Sequence, residues 1–522
     1  MLRNKTKKSE DGNEKFSAVG FLRSTIILSV FSIFGKVLGA VFKLPLASIV
    51  GAEGLGLYQL AFPIFVLLFT LASSGVSTAI TIKIAECNNN NFAKMGLRWC
   101  AFSSVVLAGL VCGFAKTIAR VQGNPEIETI YYFVALAVVG VSLLNGLKAI
   151  LRGRGQNVSF AVSETIEQVV KVGLALLLAH VLVNSGLTSA ISGVFVAIFL
   201  STVVASFFCV VRIVKMPAVQ LVQTPVVANS KNKSVDKCSK REFIKMSWLS
   251  TLGLIVVPLF QFFDSVIVVN LLQQGGLSVS ASTSLLGLAH GAVATLINLP
   301  SVAVLSLEFV LLPALVKNSN QAMVGRSVKH SLFLTFVICS PFVFLYLFFP
   351  EQIITILYGA SLSGTEINIS VWLMRIGAIQ LVFSGVLQVL VVTLQGMKNL
   401  VYPPIILTIG GLVKVLVLCI LVPQIGIYGS GLACVAFALI TVLLAMIILK
   451  IKRVNCSTPW VVVPIMVAFV CVIIMRLIYN ISLRAIPSVL SLVLCGVIGS
   501  AIYFVVIAGV FKLYTKRVER DE

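Results

Sequence analysis

Two lysines stand inside the first long apolar stretch of the chain. Lys36 and Lys43 are seven residues apart in the run FSIFGKVLGAVFKLPLASIV. Seven residues are nearly two helical turns, so both ammonium groups would lie on one helix face, about 10 Å apart along the axis. An ammonium at bilayer depth costs roughly 2.5 to 3.5 kcal/mol, so it must contact water or protein. The pair predicts an interior that binds negative charge, unless each lysine extends its stem to the headgroup region.

Later apolar stretches also carry charged residues. Glu167 and Lys171 are four residues apart and share one helix face, which predicts either a buried ion pair or a contact to a substrate headgroup. Asp264 stands in the middle of FQFFDSVIVV, and Lys414 is the counter-ion that the same half of the chain offers. We expect these two to form an ion pair or a coupling element, which leaves that half without an obvious sodium site.

Composition places the chain in the membrane. Of its 522 residues, 58% are hydrophobic and 11% are charged, and the mean hydropathy is +1.06. In a soluble protein about a quarter of the residues are charged. The net charge of +22 does not indicate nucleic-acid binding, because the cations are scattered in short loops between apolar runs. The sequence shows no catalytic, nucleotide-binding or metal-binding motif, so we expect no cofactor and a process driven by an ion gradient, the membrane potential or the substrate's own gradient.

Apolar runs of about 20 residues predict fourteen transmembrane helices. They cover residues 20–48, 56–84, 95–115, 129–150, 158–184, 188–212, 246–271, 284–316, 329–349, 370–395, 400–422, 427–449, 459–480 and 488–511. Six of the 40 lysines and arginines lie deep within spans and three lie in outer loops, and the remaining 31 lie in the loops and tails of one side or within four residues of a span's end on that side. By the positive-inside rule that side is the cytoplasm, and both termini lie there.

The fold class predicted is an all-α polytopic membrane protein with two six-helix lobes. The opening FLRSTIILSV resembles FIKMSWLSTL at Phe243, which indicates a parallel, pseudo-twofold repeat. The predicted division is a cytoplasmic tail (1–19), an N-lobe (20–214), a basic cytoplasmic linker (215–241), a C-lobe (242–450), and helices 13 and 14 with a cytoplasmic tail (451–522).

Several stretches together resemble a known family. The run GKVLGAVFKLPLASIVGAEGLGLYQLAFPIFVLLFTLASSGVSTAI resembles the stage V sporulation protein B branch of the multidrug/oligosaccharidyl-lipid/polysaccharide (MOP) exporter superfamily, which is similar to the MurJ-type lipid II flippases. The stretches LRGRGQNVSFAVSETIEQVVKV, PLFQFFDSVIV and VLQVLVVTLQGMKN match the same branch. The resemblance covers about residues 20–450.

The resemblance implies a flippase that works by alternating access between two lobes. Its substrate would be lipid II or a related undecaprenyl-pyrophosphate-linked glycan, moved across a bacterial plasma membrane for cell-wall or spore-cortex synthesis. Lys36 and Lys43 would contact the pyrophosphate, with Glu167 and Lys171 as further headgroup contacts. Membrane lipids and cell-wall synthesis proteins would be its other partners. The alternatives are a flippase for another polyprenyl-linked glycan, a cation-coupled drug antiporter, and a scaffold without transport.

Overall fold

The computed structural model describes residues 34–35, 37–39, 41–87, 90–215, 239–317, 321–397, 399–454, 459–482 and 488–520. Over these ranges the chain is helical and contains no strand. Thirteen helical runs in the described chain are long and apolar enough to cross a membrane. The prediction of an all-α polytopic membrane protein is therefore confirmed. The count of fourteen stays a prediction, because most of the first predicted span lies outside the described residues.

The long helices agree closely with the predicted spans from the third onward. The α-helices are α1 (Lys43–Phe69), α2 (Gly75–Cys87), α3 (Asn90–Val121), α4 (Glu128–Gly153), α5 (Asn157–Leu182), α6 (Leu187–Val214), α7 (Lys240–Gln274), α8 (Val279–Leu286), α9 (Ala294–Lys317), α10 (Gln321–Phe348), α11 (Pro350–Tyr358), α12 (Gly364–Gly396), α13 (Tyr402–Ile425), α14 (Tyr428–Ile451), α15 (Val462–Ser482) and α16 (Ser488–Arg520). Two π-helical turns, π1 (Thr70–Ser74) and π2 (Gly287–Val293), follow α1 and α8.

The break predicted between the first two spans is present, in the form of a kink within α1. The backbone is broken there at Gly51, whose φ of 67° lies in the left-handed region that favours glycine. The chain therefore changes direction within a continuous run of helix-forming residues. Hydropathy reflects only the polar residues near this point, and it therefore predicts a loop.

Contacts divide the chain into two compact units. Unit 1 contains the described residues before Lys43 together with Ala61–Ala119 and Glu126–Leu259. Unit 2 contains Lys43–Leu60, Arg120–Pro125 and the described residues from Phe260 onward. Two segments from the first half of the sequence thus pack with the second half. The five-part division drawn from the sequence remains a prediction.

Unit 1 is built on α6, which packs along both α4 and α5. Small residues permit the close approach, since a Cβ on Gly140 would lie 2.3 Å from Thr202 Oγ1. A second core joins α2, the beginning of α3 and the beginning of α7. There the rings of Phe92 and Phe243 stack with centroids 5.9 Å apart. This contact brings the first turns of α3 and α7 together.

In unit 2, α12 is the central helix and packs against α9, α10 and α14. The last two helices, α15 and α16, pack on α10. Tyr503 on α16 donates a hydrogen bond to Val337 O at 2.8 Å, and Ser340 Oγ on α10 donates to Pro464 O on α15 at 3.2 Å. Polar contacts of this kind replace the hydrophobic driving force that is missing between helices in lipid.

The first part of α1 packs tightly against α8 and π2 within unit 2. A Cβ on Gly56 would lie 2.0 Å from Thr283 O, and a Cβ on Gly287 would lie 2.1 Å from Ala52 O. No side chain fits at either position without displacing backbone. The two glycines therefore set the distance between these helices.

Four amide side chains fasten the Arg120–Pro125 segment to α1, α7 and α8; we call Gln122, Asn124, Asn270 and Gln273 the amide network. Gln122 Nε2 donates to Leu60 O at 3.0 Å and to Ser265 Oγ at 3.1 Å. Asn124 Nδ2 donates to Thr283 Oγ1 at 3.1 Å. The side chains of Asn270 and Gln273 donate to Val121 O at 2.8 Å and to Gly123 O at 2.7 Å.

The glycine contact can be tested with a pair of alanine variants. We expect Gly56→Ala to lower the melting temperature of the purified protein in detergent, because overpacking of this kind costs about 1–3 kcal/mol. Gly109→Ala is the matched control, since a Cβ on Gly109 meets nothing within 4 Å. The control should leave the melting temperature unchanged or slightly raised. Equal melting temperatures for both variants would contradict the assigned contact.

Candidate functional site

His290 lies within electrostatic range of Lys43 and Lys414, and Lys414 lies within range of Asp264; we call these four side chains of unit 2 the lysine–histidine cluster. Lys43 is the first residue of α1, Asp264 lies in α7, His290 in π2 and Lys414 in α13. Four elements distant in sequence therefore supply one residue each. The cluster contains two lysines and one aspartate.

Lys43 extends over an aromatic ring. Its Nζ lies 5.8 Å from the ring centroid of Tyr58, which is itself 2% exposed. A cation over a ring face is attracted by the ring quadrupole, and the attraction is stronger where water is excluded. The ring holds the ammonium near the beginning of α1 without neutralising its charge. The ammonium of Lys43 and the ring of Tyr58 are therefore held together at the beginning of α1.

Asp264 and Lys414 are in contact, as predicted from the sequence. Lys414 Nζ donates to Asp264 Oδ2, and their side chains are 13% and 6% exposed. Within the described chain, Asp264 Oδ1 is buried without a hydrogen-bond partner. The carboxylate is thus half satisfied, which is costly in a low-dielectric interior. Its role in binding or coupling is a proposal taken up below.

His290 lies in the π-helical turn π2 and contacts α1 through its backbone. Gln59 Nε2 on α1 donates a hydrogen bond to His290 O. Its ring atom Nε2 is buried and has no hydrogen-bond partner among the described residues. The lack of a partner at Nε2 favours a polar role, and π-helical turns occur frequently at functional sites.

The acidic and basic residues of α5 form a different ion pair from the one suggested by their spacing. Glu167 accepts a hydrogen bond from Lys148 on α4, and the two side chains are 12% and 10% exposed. Lys171 lies within electrostatic range of Glu167 but is not its hydrogen-bonded partner in this contact. The local i, i+4 pattern could not reveal a partner from another helix. Lys148 was missed because it stands at the edge of its predicted span.

A third buried lysine was also missed. Lys83 in α2 is 3% exposed and donates to Glu86 at 3.0 Å and to Glu242 at 3.1 Å. Glu242 comes from the first turn of α7, so this contact closes the same end of unit 1 as the stacked Phe92 and Phe243. Both acids stand at the polar ends of their apolar runs. Their position explains why sequence reasoning assigned them to loops.

The six site residues predicted from the sequence are distributed between the units. Unit 2 holds Lys43, Asp264 and Lys414, and unit 1 holds Glu167 and Lys171. Lys36 lies outside the described residues. The grouping of Lys36 with Lys43 on one helix face therefore stays a prediction.

The lysine–histidine cluster can bind an anion. Two ammonium groups attract a multiply charged ligand as point charges, and the unpartnered imidazole nitrogen can hydrogen-bond to it. Among the described residues, no group of three histidine, cysteine, aspartate or glutamate side chains could hold a metal ion. The cluster is thus a polar site enclosed by apolar helices, and its charge balance suits a phosphate-bearing molecule.

The helix arrangement is that of the MOP-superfamily transporters. A solved structure entitled "Lipid II flippase MurJ, inward closed conformation" matches with a TM-score of 0.68 and 16% identity, covering 94% of this chain and 100% of that chain. An outward-facing multidrug resistance MATE family transporter of the MOP superfamily matches with a TM-score of 0.61 and 16% identity, covering 83% of this chain and 96% of that chain. At these identities the likeness shows the fold.

The chain belongs to the family described as "Polysaccharide biosynthesis protein", which matches residues 21–319, more than half of its length. Stage V sporulation protein B of Bacillus subtilis (strain 168) is 25% identical over 453 residues, 83% of this chain and 85% of that protein. Lipid II flippase MurJ of the same organism is 24% identical over 190 residues, 33% of this chain and 35% of that protein. The resemblance found in the sequence is confirmed, and the chain is a multi-pass membrane protein.

The buried pair on α4 and α5 yields a stability prediction. We expect Lys148→Met or Glu167→Leu alone to lower the melting temperature strongly, because removing one partner of a buried pair costs roughly 3–5 kcal/mol. The double variant Lys148→Met/Glu167→Leu should recover most of the loss, since no buried charge is then left without its partner. The measurement is thermal unfolding of the purified protein in detergent.

Glu242→Gln serves as the control for this experiment. Its carboxylate also pairs with a lysine but is 48% exposed, so its loss should cost about 0–1 kcal/mol. Additive losses in the Lys148 and Glu167 double variant would show that the two side chains do not interact.

Proposed function

We propose that the protein is a flippase for a polyprenyl-diphosphate-linked glycan. Within this class the proposed substrate is lipid II, moved from the inner to the outer leaflet of a bacterial plasma membrane by alternating access, with both termini cytoplasmic. It would serve cell-wall or spore-cortex peptidoglycan synthesis. The observation that carries the proposal is the grouping of two lysines, Lys43 and Lys414, within electrostatic range of His290, in a chain of the polysaccharide biosynthesis family.

The charge of the cluster suits the diphosphate of such a substrate. A diphosphate carries at least two negative charges, and Lys43 and Lys414 could each approach one phosphate as a point charge. The attraction is several times stronger in a protein interior than in water. The polyprenyl chain can remain in the bilayer while the charged part meets the cluster. The proposal thus assigns recognition to the feature shared by all polyprenyl-diphosphate-linked glycans.

The Asp264–Lys414 pair has a defined part in this proposal. When no substrate is present, Asp264 neutralises the ammonium and limits the cost of burying it. A bound diphosphate would compete with Asp264 for Lys414. Asp264, released and half satisfied, would then take up a proton, because an unpaired buried carboxylate is unstable as an anion. Substrate binding and proton uptake would in this way be linked.

A second glycan class is supported by the family description. The family is named for polysaccharide biosynthesis, so another polyprenyl-diphosphate-linked repeat unit is the alternative substrate. Competition distinguishes the two, since unlabelled lipid II should inhibit transport of a labelled substrate more strongly than a capsule-type repeat unit on the same lipid. A cation-coupled drug antiporter agrees with the MATE-like fold but would need an acidic site, and the lysine–histidine cluster has the opposite charge.

Substitution of Lys43 tests the binding role. In proteoliposomes with labelled lipid II, we expect Lys43→Ala to lower the translocation rate by roughly tenfold to a hundredfold, the loss that corresponds to one hydrogen bond to a charged group. Lys43→Arg should retain most activity, because the charge is kept. Lys116→Ala removes an exposed cation of α3 and should have no effect. Normal translocation by a correctly folded Lys43→Ala protein would refute the assigned role.

Sodium dependence tests the ion pair. Asp264 Oδ2 is held by the Lys414 ammonium, so a sodium ion at this carboxylate would lie beside a positive charge that repels it. We expect the same initial translocation rate when potassium replaces sodium on both sides of the vesicles, and a rate that responds to an imposed pH gradient. Asp264→Asn should abolish the pH response. A rate that falls with sodium removal and ignores pH would contradict this assignment.

A further inference from the structure

An apolar groove opens on the surface of unit 1, apart from the charged clusters. Its walls come from π1, the first half of α3 and the first half of α7, and they include Leu71, Trp99, Phe102, Val106, Ile244 and Trp248. The three aromatic side chains among them are exposed, Phe102 by 72%, Trp248 by 58% and Trp99 by 39%. Large rings exposed beside a groove leave an apolar surface that needs a covering group.

The polar atoms in the walls are already engaged. Ser103 Oγ donates to Ala72 O at 2.8 Å, Ser247 Oγ donates to Phe243 O at 2.8 Å, and Thr251 Oγ1 donates to Ser247 O at 2.9 Å. Each hydroxyl therefore bonds to backbone and offers little to a ligand. The groove presents hydrocarbon walls, and its occupant must be a hydrocarbon chain.

The groove lies near one end of the apolar spans. Trp99 stands four residues inside the span predicted for 95–115, and Trp248 stands two residues inside the span predicted for 246–271. Tryptophan is enriched where the hydrocarbon core meets the headgroup layer. The groove therefore begins at one membrane interface and runs along α3 toward Val106, at the depth where acyl chains lie.

Exposed cations stand at the interfacial end of the groove. Lys94 and Arg98 precede Trp99 and Phe102 on α3, and Arg98 shares a face with Phe102 at the i, i+4 spacing. On α7, Lys245 shares a face with Trp248 at the i, i+3 spacing. The stacked rings of Phe92 and Phe243 hold these two helix ends together, so their cations lie at one end of the groove.

The acids at this end cancel only part of that charge, because two carboxylates against one lysine leave a single negative charge. Glu86 and Glu242 both accept hydrogen bonds from the buried Lys83. Lys94, Arg98, Arg241 and Lys245 are all exposed. The end of the groove is therefore positive, and a zwitterionic headgroup would bring its own ammonium against these cations. An anionic headgroup without an ammonium would only be attracted to them.

We propose that this groove binds an acyl chain of an anionic glycerophospholipid, with the lipid phosphate against Arg98 and Lys245. The assignment rests on three features at once: hydrocarbon walls, a position at the interface, and positive charge at the end where a phosphate would lie. The bound lipid would cover Phe102 and Trp248 and join α3 to α7. Unit 1 would then be more stable in membranes rich in anionic lipid.

The test uses the purified full chain, delipidated in detergent and supplied with phosphatidylglycerol or phosphatidylcholine of identical acyl chains. Native mass spectrometry should show retained phosphatidylglycerol with at least a roughly tenfold preference, the effect expected of two cations near one phosphate. Phosphatidylglycerol should also raise the melting temperature more than phosphatidylcholine does. Equal retention of the two lipids would overturn the proposal.

Charge variants localise the effect. Arg98→Gln/Lys245→Gln should reduce the preference for phosphatidylglycerol to near unity. The matched control Lys116→Gln/Lys450→Gln removes two exposed cations elsewhere and should retain the preference. A preference that falls equally in both double variants would show a diffuse charge effect and would overturn the site.

A third measurement does not depend on the charge variants. A benzophenone amino acid in place of Phe102 should crosslink to labelled phosphatidylglycerol, whereas the same amino acid in place of Leu439 on α14, also exposed, should crosslink far less. If a polyprenyl diphosphate crosslinks at position 102 and displaces phosphatidylglycerol, the groove belongs to the lipid carrier and the proposal fails. None of these readouts requires translocation, so they are independent of the proposed function.

Discussion

A charged side chain within apolar helices must have a polar or charged neighbour, and the helices of both units are arranged around that requirement. Lys148 lies against Glu167 in unit 1, and Lys414 lies against Asp264 in unit 2. Lys43 differs, because an aromatic ring that carries no net charge lies against it. Among the described contacts, buried ammonium groups are thus stabilised in two ways, by a carboxylate or by the face of an aromatic ring.

The fold could be predicted largely from the sequence, because transmembrane helices leave the strongest of all sequence signals. Runs of some twenty apolar residues, and lysines and arginines collected in alternate loops, place most helices within a few residues of their observed bounds. The break at Gly51 was predicted, but its form as a kink between two helices and the turns π1 and π2 were not. Backbone breaks and π-turns depend on packing against neighbouring helices, and hydropathy does not record packing.

The candidate site could be predicted only in part. Asp264 and Lys414 were found because each is conspicuous in the middle of an apolar span, where a charge demands a partner. Lys148 and Lys83 were not found, because they stand near helix ends where a lysine is commonplace. Residue types alone also assigned Lys43 to the first lobe, whereas its contacts group it with the second half of the chain. A residue's chemistry is readable from sequence more easily than its neighbours are.

The amide network shows how a polypeptide segment can be held firmly without charge. The five hydrogen bonds described above run from neutral amides to neutral oxygens. Dissolved salt weakens the attraction between charges but has little effect on hydrogen bonds between neutral groups, and these groups do not titrate. The segment Arg120–Pro125 would stay seated equally well in fresh water, in brine and in acid surroundings.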